Sequence, residues 1–99
     1  MIESFRDKAL ESFFRSGRVA KGIPADAAER VFRKLQLLDD ATCDLDLRAP
    51  PSNRFEKLAG ALAGWHSIRV NDFWRLVFVW DGSTGKAREL RLDPHRYRG

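Results

Sequence analysis

The chain has 99 residues, of which 43% are hydrophobic and 32% are charged, proportions typical of a folded globular protein. We expect a single domain over residues 1–99 in the reducing cytoplasm, because the lone Cys43 cannot form an internal disulfide. The charged start MIESFRDK is unlike a signal peptide, and no apolar run approaches the roughly 20 residues that span a bilayer. We therefore expect no membrane role.

The positive charge is concentrated in the second half of the chain. Residues 1–47 carry 8 Lys and Arg against 9 Asp and Glu, whereas residues 48–99 carry 10 against 5. A basic excess on one part of a fold is typical of nucleic-acid-binding proteins, although an ordinary solvated surface gives the same balance. The charge favours a polyanionic partner without identifying it.

Two amphipathic helices are predicted in the first half. After a strand-like start at residues 2–5, Asp7 can cap a helix that Gly17 ends, and a second helix runs from Ala25 to about Asp40. Their apolar residues follow helical spacing: Leu10, Phe13 and Phe14 in the first, and Ala28, Val31, Phe32, Leu35 and Leu38 in the second. The outward face of the second helix is interpreted as a solvated surface, formed by Glu29, Arg30, Arg33 and Lys34.

The second half predicts an antiparallel sheet. An irregular connection over residues 44–53 is followed by strands expected at residues 54–58, 64–70, 74–80 and 88–92. Helices followed by consecutive strands with short turns predict an α+β fold, in which the two N-terminal helices pack on one face of the sheet. The side chains expected to face the helices are Leu76, Phe78, Trp80, Leu90 and Leu92.

The predicted hairpin SIRVNDFWRLVFVW carries one arginine in each otherwise apolar strand. A three-residue turn pairs Arg69 with Arg75 and sorts polar from apolar faces, whereas a two-residue turn mixes them. One turn residue is expected to be left-handed, a conformation that Asn and Asp tolerate. Two adjacent arginines require an anion between them, so this face is expected to bind phosphate. The alternative is two edge arginines in water, paired with Glu89 or Asp93.

The other candidate catalytic residues lie in the tail LDPHRYRG. The sequence has no phosphate-binding glycine loop and no Cys/His spacing suited to zinc, so we expect neither a cofactor nor a metal. Asp93 and His95 place a carboxylate beside an imidazole that can move a proton near neutral pH. On these residues alone, a frayed terminus is the simpler interpretation.

Along almost its whole length the chain resembles the HigB branch of the RelE/ParE toxin superfamily. The matching pieces are MIESFRDKALESFF, LQLLDDAT, LDLRAPPSNRFEKLAG and AGWHSIRVNDFWRLVFVW, followed by an aspartate-x-histidine near the C-terminus. The resemblance implies a RelE-like fold and a type II toxin that cleaves mRNA in the 30S A site of the ribosome without a metal. It also implies a HigA-like helix-turn-helix antitoxin, through which alone the toxin would contact operator DNA.

The resemblance assigns site residues by motif. The arginine of the SIR motif falls on Arg69, that of the WR motif on Arg75, and the terminal aspartate and histidine on Asp93 and His95. These four are the expected catalytic residues. The residues expected to bind RNA are Lys57, Arg54, Asn71 and Tyr97.

Two positions depart from the family pattern. Relatives commonly have lysine where Ala59 stands and tyrosine where Pro94 stands. Because residues i and i+2 of a strand share a face, we expect Lys57 to replace the missing lysine. We also expect Tyr97, three residues after Pro94, to replace the missing phenol. Two alternative functions remain open on the sequence: a ParE-like inhibitor of DNA gyrase without ribonuclease activity, and a catalytically decayed RNA-binding homologue.

Overall fold

The computed structural model describes residues 1–60 and 64–94. In these ranges the helices are α1 (Lys8–Ser16), α2 (Ala28–Asp40) and α3 (Asp44–Arg48), followed by a 3-10 turn at Pro51–Asn53. The strands are β1 (Glu56–Lys57), β2 (Trp65–Arg69), β3 (Trp74–Asp81) and β4 (Lys86–Pro94). They form one antiparallel sheet in the order β1-β2-β3-β4, which confirms the α+β prediction.

Helix α1 has the ends predicted from its sequence. The Asp7 side chain accepts a hydrogen bond from the backbone N–H of Leu10 at 3.1 Å. Gly17 ends the helix at φ 73°, a left-handed conformation that costs glycine little, and its N–H donates to the carbonyl of Phe13. Capping satisfies backbone groups that a helix end leaves unpaired.

Helix α2 begins at Ala28, three residues later than expected, because residues 25–27 form a turn in which the N–H of Ala27 donates to the carbonyl of Pro24. The prediction of an irregular connection after α2 was also wrong, since this segment forms α3 and the 3-10 turn. Side chains order it: Asn53 is fully buried and donates from Nδ2 to the carbonyls of Leu47 and Ala49. Such bonds carry no sequence periodicity, so the pattern did not reveal them.

The core lies between the helices and one face of the sheet. Helical and sheet residues with no exposed surface meet there: Leu10, Val31, Leu35, Leu38, Ile68, Leu76, Phe78 and Leu90. Leu92 packs against this core while remaining partly exposed. In residues 1–60 and 64–94, no helix combines the length and apolar character needed to cross a membrane.

The β2–β3 hairpin has the predicted register. Ile68 lies opposite Leu76 and Arg69 opposite Arg75, and the N–H of Val70 donates to the carbonyl of Trp74 at 2.9 Å. The expected left-handed turn residue was wrong, because none of residues 71–73 has a positive φ. Instead, Asn71 Oδ1 accepts hydrogen bonds from the N–H groups of Phe73 and Trp74, both at 2.9 Å. The side chain closes the turn in place of a special backbone conformation.

A bulge changes the pairing of β4 with β3. Val77 pairs with Arg91, but Val79 pairs with Arg88, so β4 has one extra residue at this point. Glu89 lies in the bulge at φ 56°, and its N–H donates to Ser4 Oγ at 3.0 Å. The N-terminal segment runs parallel to β4, with bridges from Ile2 to Ala87 and from Phe5 to Leu90. The expected strand-like start therefore covers the free edge of β4.

Candidate functional site

One row of charged residues crosses three strands on the sheet face opposite the helices. Arg69 of β2 pairs with Arg75 of β3, which pairs with Asp93 of β4. Direct cross-strand partners share a face, and the neighbouring row of Ile68 and Leu76 points into the core. The two arginine side chains are 30% and 26% exposed, so they are partly desolvated yet accessible.

Each arginine of this row has its own carboxylate. Arg75 donates from Nε and Nη2 to Asp93 Oδ2 at 3.4 and 3.3 Å. Arg69 donates from Nη2 to Asp72 Oδ1 within the turn. The pairing with Asp93 given as the alternative is thus observed, and these carboxylates offset the repulsion between the arginines. A guanidinium has five N–H donors, so each arginine keeps donors for a phosphate.

The structure contradicts the expected position of Lys57. Glu56 pairs with Ser67 and Lys57 with His66, so Lys57 lies on the sheet face opposite that of Arg69. The N–H of Leu58 donates to the carbonyl of Trp65 at 2.8 Å and fixes this register. The prediction that Lys57 shares the arginines' face was therefore wrong. The spacing of positions 57 and 59 gives their relation to each other, but not their relation to β2.

His66 lies in a partly buried aromatic environment on that other face. Its ring stacks on Phe55 with centroids 5.1 Å apart and planes inclined by 10°. Within the described residues its buried Nδ1 has no hydrogen-bond partner. Burial lowers the pKa of His66, and Lys57 lowers it further, while Asp44 acts in the opposite direction. The structure therefore favours a neutral imidazole here.

Trp65 of β2 lies on the sheet face opposite the helices, near the row of Arg69 and Arg75. The register places it on the face of Arg69. The guanidinium carbons of Arg91 and Arg6 lie 5.5 and 6.0 Å from the centre of its ring, which is within cation–π range. In the described part of the chain, the buried Nε of Arg91 has no hydrogen-bond partner. The sequence patterns gave no role to Arg6 or Arg91. Arg91 lies two residues before Asp93 in the same strand and therefore on the same face, and this spacing could have identified it.

Helix α2 contributes further positive charge beside Arg69. Three of its residues, predicted to be a solvated surface, line a cavity of about 350 Å³ together with Arg69: Arg30, Arg33 and Lys34. Lys34 donates from Nζ to Asn53 Oδ1. Burial and, to a lesser degree, the charge of Arg30 lower the pKa of Lys34. Helical spacing could group these residues but could not show which part of the fold they face.

The other assigned residues are positioned as follows. Asn71 closes the hairpin turn, and Arg54 is exposed at φ 44° just before β1. His95 and Tyr97 lie outside the described residues. Within residues 1–60 and 64–94, no group of three or more His, Cys, Asp or Glu side chains could hold a metal ion.

The fold has a counterpart among solved structures. A solved structure described as the YoeB–YefM complex from Staphylococcus aureus superimposes with a TM-score of 0.54 at 21% identity, covering 98% of this chain and 97% of the other. At this level of identity, the similarity concerns the fold.

Sequence comparisons give the family. The family model described as the RelE-like toxin of type II toxin–antitoxin system HigB matches residues 3–95. Toxin HigB-1 of Vibrio cholerae serotype O1 is 47% identical over 97 residues, which cover 98% of this chain and 100% of that protein. Endoribonuclease HigB of Proteus vulgaris is 36% identical over 78 residues, 79% of this chain and 83% of that protein. The chain belongs to the HigB family of RelE-like toxins, which act in type II toxin–antitoxin systems.

Proposed function

We propose that this chain is an endoribonuclease that cleaves mRNA in the ribosomal A site of the 30S subunit and thereby stops translation in the cytoplasm. The observation that carries the proposal is the cross-strand row of Arg69, Arg75 and Asp93 on the face opposite the helices. Family membership supports it, as does the name of the Proteus vulgaris relative, an endoribonuclease.

The proposed reaction is attack by a ribose 2′-hydroxyl on the adjacent phosphate. The hydroxyl gives up its proton, its oxygen bonds to phosphorus, and the bond to the 5′-oxygen breaks as that oxygen gains a proton. The products are a 2′,3′-cyclic phosphate and a 5′-hydroxyl end. This reaction needs a group that exchanges protons near neutral pH and cations beside the phosphate, and the proposal gives no step to a metal ion.

The side chains divide these tasks. The guanidinium groups of Arg69 and Arg75 would hold the phosphate oxygens, because planar N–H pairs match their geometry and stay charged at every relevant pH. Asp93 contacts Arg75 and would orient it toward the phosphate. His95 would transfer the proton, a role that the family motif assigns to it. Arg54, Asn71 and Tyr97 would contact the RNA beyond the cleaved bond.

A nuclease that stops translation must be restrained in the cell that makes it. Membership in a toxin–antitoxin family supports an antitoxin partner. We propose a HigA-like helix-turn-helix protein, through which alone the complex would contact operator DNA. Co-expression of such an antitoxin should restore the growth that this chain alone arrests.

The decisive experiment uses ribosomes programmed with a defined mRNA. The purified chain should cut the message within the A-site codon, as mapped by primer extension, and the Arg75→Ala variant should leave it intact. A parallel supercoiling assay with DNA gyrase tests the ParE-like alternative. Gyrase inhibition without RNA cleavage would refute the proposal, and binding to ribosomes without cleavage would identify a decayed homologue.

A further inference from the structure

The cavity between α2 and the β2–β3 hairpin is basic on several sides. It measures about 350 Å³ and is lined by Arg30, Arg33, Lys34, Leu37, Ser52, Arg69 and Val70. Four of these residues are cations and none is a carboxylate. A concave site with convergent charges of one sign concentrates counter-ions of the opposite sign. The cavity is therefore suited to an anion.

The cations of this cavity are only partly neutralised by the protein. Arg33 forms an ion pair with Glu29, and Lys34 is bound to the neutral amide oxygen of Asn53. Within residues 1–60 and 64–94, Arg30 has no carboxylate partner. Burial and, to a lesser degree, the nearby positive charge of Arg30 lower the pKa of Lys34, which indicates that the two cations lie close to each other.

Arg69 connects this cavity to the arginine row. It lines the cavity and is also the cross-strand partner of Arg75. A strand of RNA whose reacting phosphate lies at Arg75 would thus have a second basic site directly beside it. Guanidinium groups bind phosphate oxygens through pairs of N–H donors, and Ser52, which also lines the cavity, has a hydroxyl that can donate.

We propose that this cavity binds a backbone phosphate of RNA next to the one that is cleaved, and that Arg30, Arg33 and Lys34 are its cationic ligands. The identity of the polyanion as RNA rests on the proposed function. The site would position the strand through binding and would take no part in bond breaking. Its loss should therefore raise the Kd for RNA and the KM for cleavage and leave kcat nearly unchanged.

The chain offers a closely matched control for this test. Arg33 and Arg15 are both exposed arginines, at 70% and 71%, and each is paired with a glutamate one helical turn earlier. Arg33 lines the cavity, whereas Arg15 lies on α1 and does not. Arg33→Ala and Arg15→Ala therefore remove the same charge and the same kind of ion pair, with comparable effects on folding.

The measurement is equilibrium binding of a labelled single-stranded RNA, made uncleavable by 2′-deoxy substitution, over a range of salt concentrations. Arg33→Ala and Arg30→Ala should each raise the Kd by about fivefold, within the range for one charge-assisted contact at an exposed site. The slope of log K against log salt is negative, and its magnitude should become smaller by about 0.7 for each lost contact. Arg15→Ala should match the wild type.

A second set of measurements compares the same variants for their binding to ribosomes and to the antitoxin. Weaker binding of free RNA identifies an mRNA phosphate in the cavity and supports the proposal, whereas weaker binding of ribosomes alone would identify a ribosomal RNA phosphate there and overturn it. Equal affinities of the Arg33→Ala and Arg15→Ala variants in both assays overturn it. So does a loss of antitoxin binding with RNA affinity unchanged, which would make the cavity a protein interface. Because the RNA cannot be cleaved, these results stand apart from the test of catalysis.

Discussion

Arg75 and Asp93 are direct cross-strand partners, and a single carboxylate oxygen accepts from both Nε and Nη2 of the guanidinium. At 3.4 and 3.3 Å these hydrogen bonds are long for an arginine–carboxylate pair. The carboxylate thus fixes the direction of the guanidinium without using all of its donors. An incoming phosphate can compete for the same group.

Removal of Arg75 tests its proposed role in the reaction. Arg75→Ala should lower kcat on programmed ribosomes by roughly 10² to 10³, the loss typical of one preorganised electrostatic contact. Ribosome binding should change much less, because other basic residues also contribute. Arg75→Lys should recover little activity, since an ammonium does not reproduce the paired donors of a guanidinium. Wild-type cleavage by a folded Arg75→Ala protein would refute the role.

The contact between Asp93 and Arg75 predicts that their substitutions are not additive. Asp93→Asn should reduce cleavage by about tenfold because the guanidinium loses its charged partner. In the Arg75→Ala background, the same change should have a much smaller effect, since nothing remains to be oriented. Single-turnover cleavage by the four proteins gives the coupling energy. Independent effects in both backgrounds would show that Asp93 acts without Arg75.

Glu56 shares the face of Ser67 and Arg69, where its charge opposes the binding of RNA. Glu56→Gln should therefore lower the Kd for uncleavable RNA by about twofold, a small change because the side chain is exposed and screened by salt. Glu11→Gln on α1 removes an equal charge away from the sheet and should have no effect. Equal changes in both variants would indicate a general charge effect.

The lowered pKa of His66 predicts a pH-dependent stability. In the unfolded chain His66 binds a proton at its ordinary pKa of 6.5, whereas in the folded chain it binds the proton only at a lower pH. The contribution of His66 to stability should therefore be fully present above pH 6.5 and should be lost as the pH falls through the lowered pKa of the folded state. His66→Phe should remove this dependence and retain an aromatic ring against Phe55. Urea denaturation between pH 5.5 and 7.5 measures the effect. His95→Gln, which changes the other histidine, should keep the dependence.

Asn71 is expected to stabilise the hairpin through its side-chain oxygen. Asn71→Ala should lower the free energy of unfolding by about 1 kcal/mol, because two backbone N–H groups lose their acceptor. Asn71→Asp retains that oxygen and should lose much less. Thermal unfolding of the three proteins distinguishes them. Equal Tm values for the Ala and Asp variants would show that the turn does not depend on this acceptor.

The sequence predicted those features that depend on sorting polar from apolar residues. The pairing of Arg69 with Arg75 followed from this rule because the hairpin strands are long enough to have two distinct faces. Strand β1 has only two residues, so no pattern fixed its orientation, and Lys57 was placed on the wrong face. The RNA-contacting and catalytic roles of the site residues remain predictions.

The basic cavity shows a different limit of sequence analysis. Arg30 and Arg33 lie on the polar side of an amphipathic helix, and a solvated surface explains such residues as well as a binding site does. Only the packing of α2 beside the hairpin brings them to Arg69, which is more than 30 positions away in the sequence. Contacts of this kind follow from tertiary structure and leave no local periodicity.

The parallel bridges from Ile2 and Phe5 to Ala87 and Leu90 have a consequence for synthesis of the protein. They join positions 85 residues apart, and β4 also supplies Asp93 to the arginine row. Contacts between distant positions form late, because the intervening chain must first be available. A nascent chain that lacks β4 has neither the partner of its N-terminal segment nor the carboxylate that orients Arg75. The proposed RNA-binding surface can therefore assemble only after β4 has been synthesised.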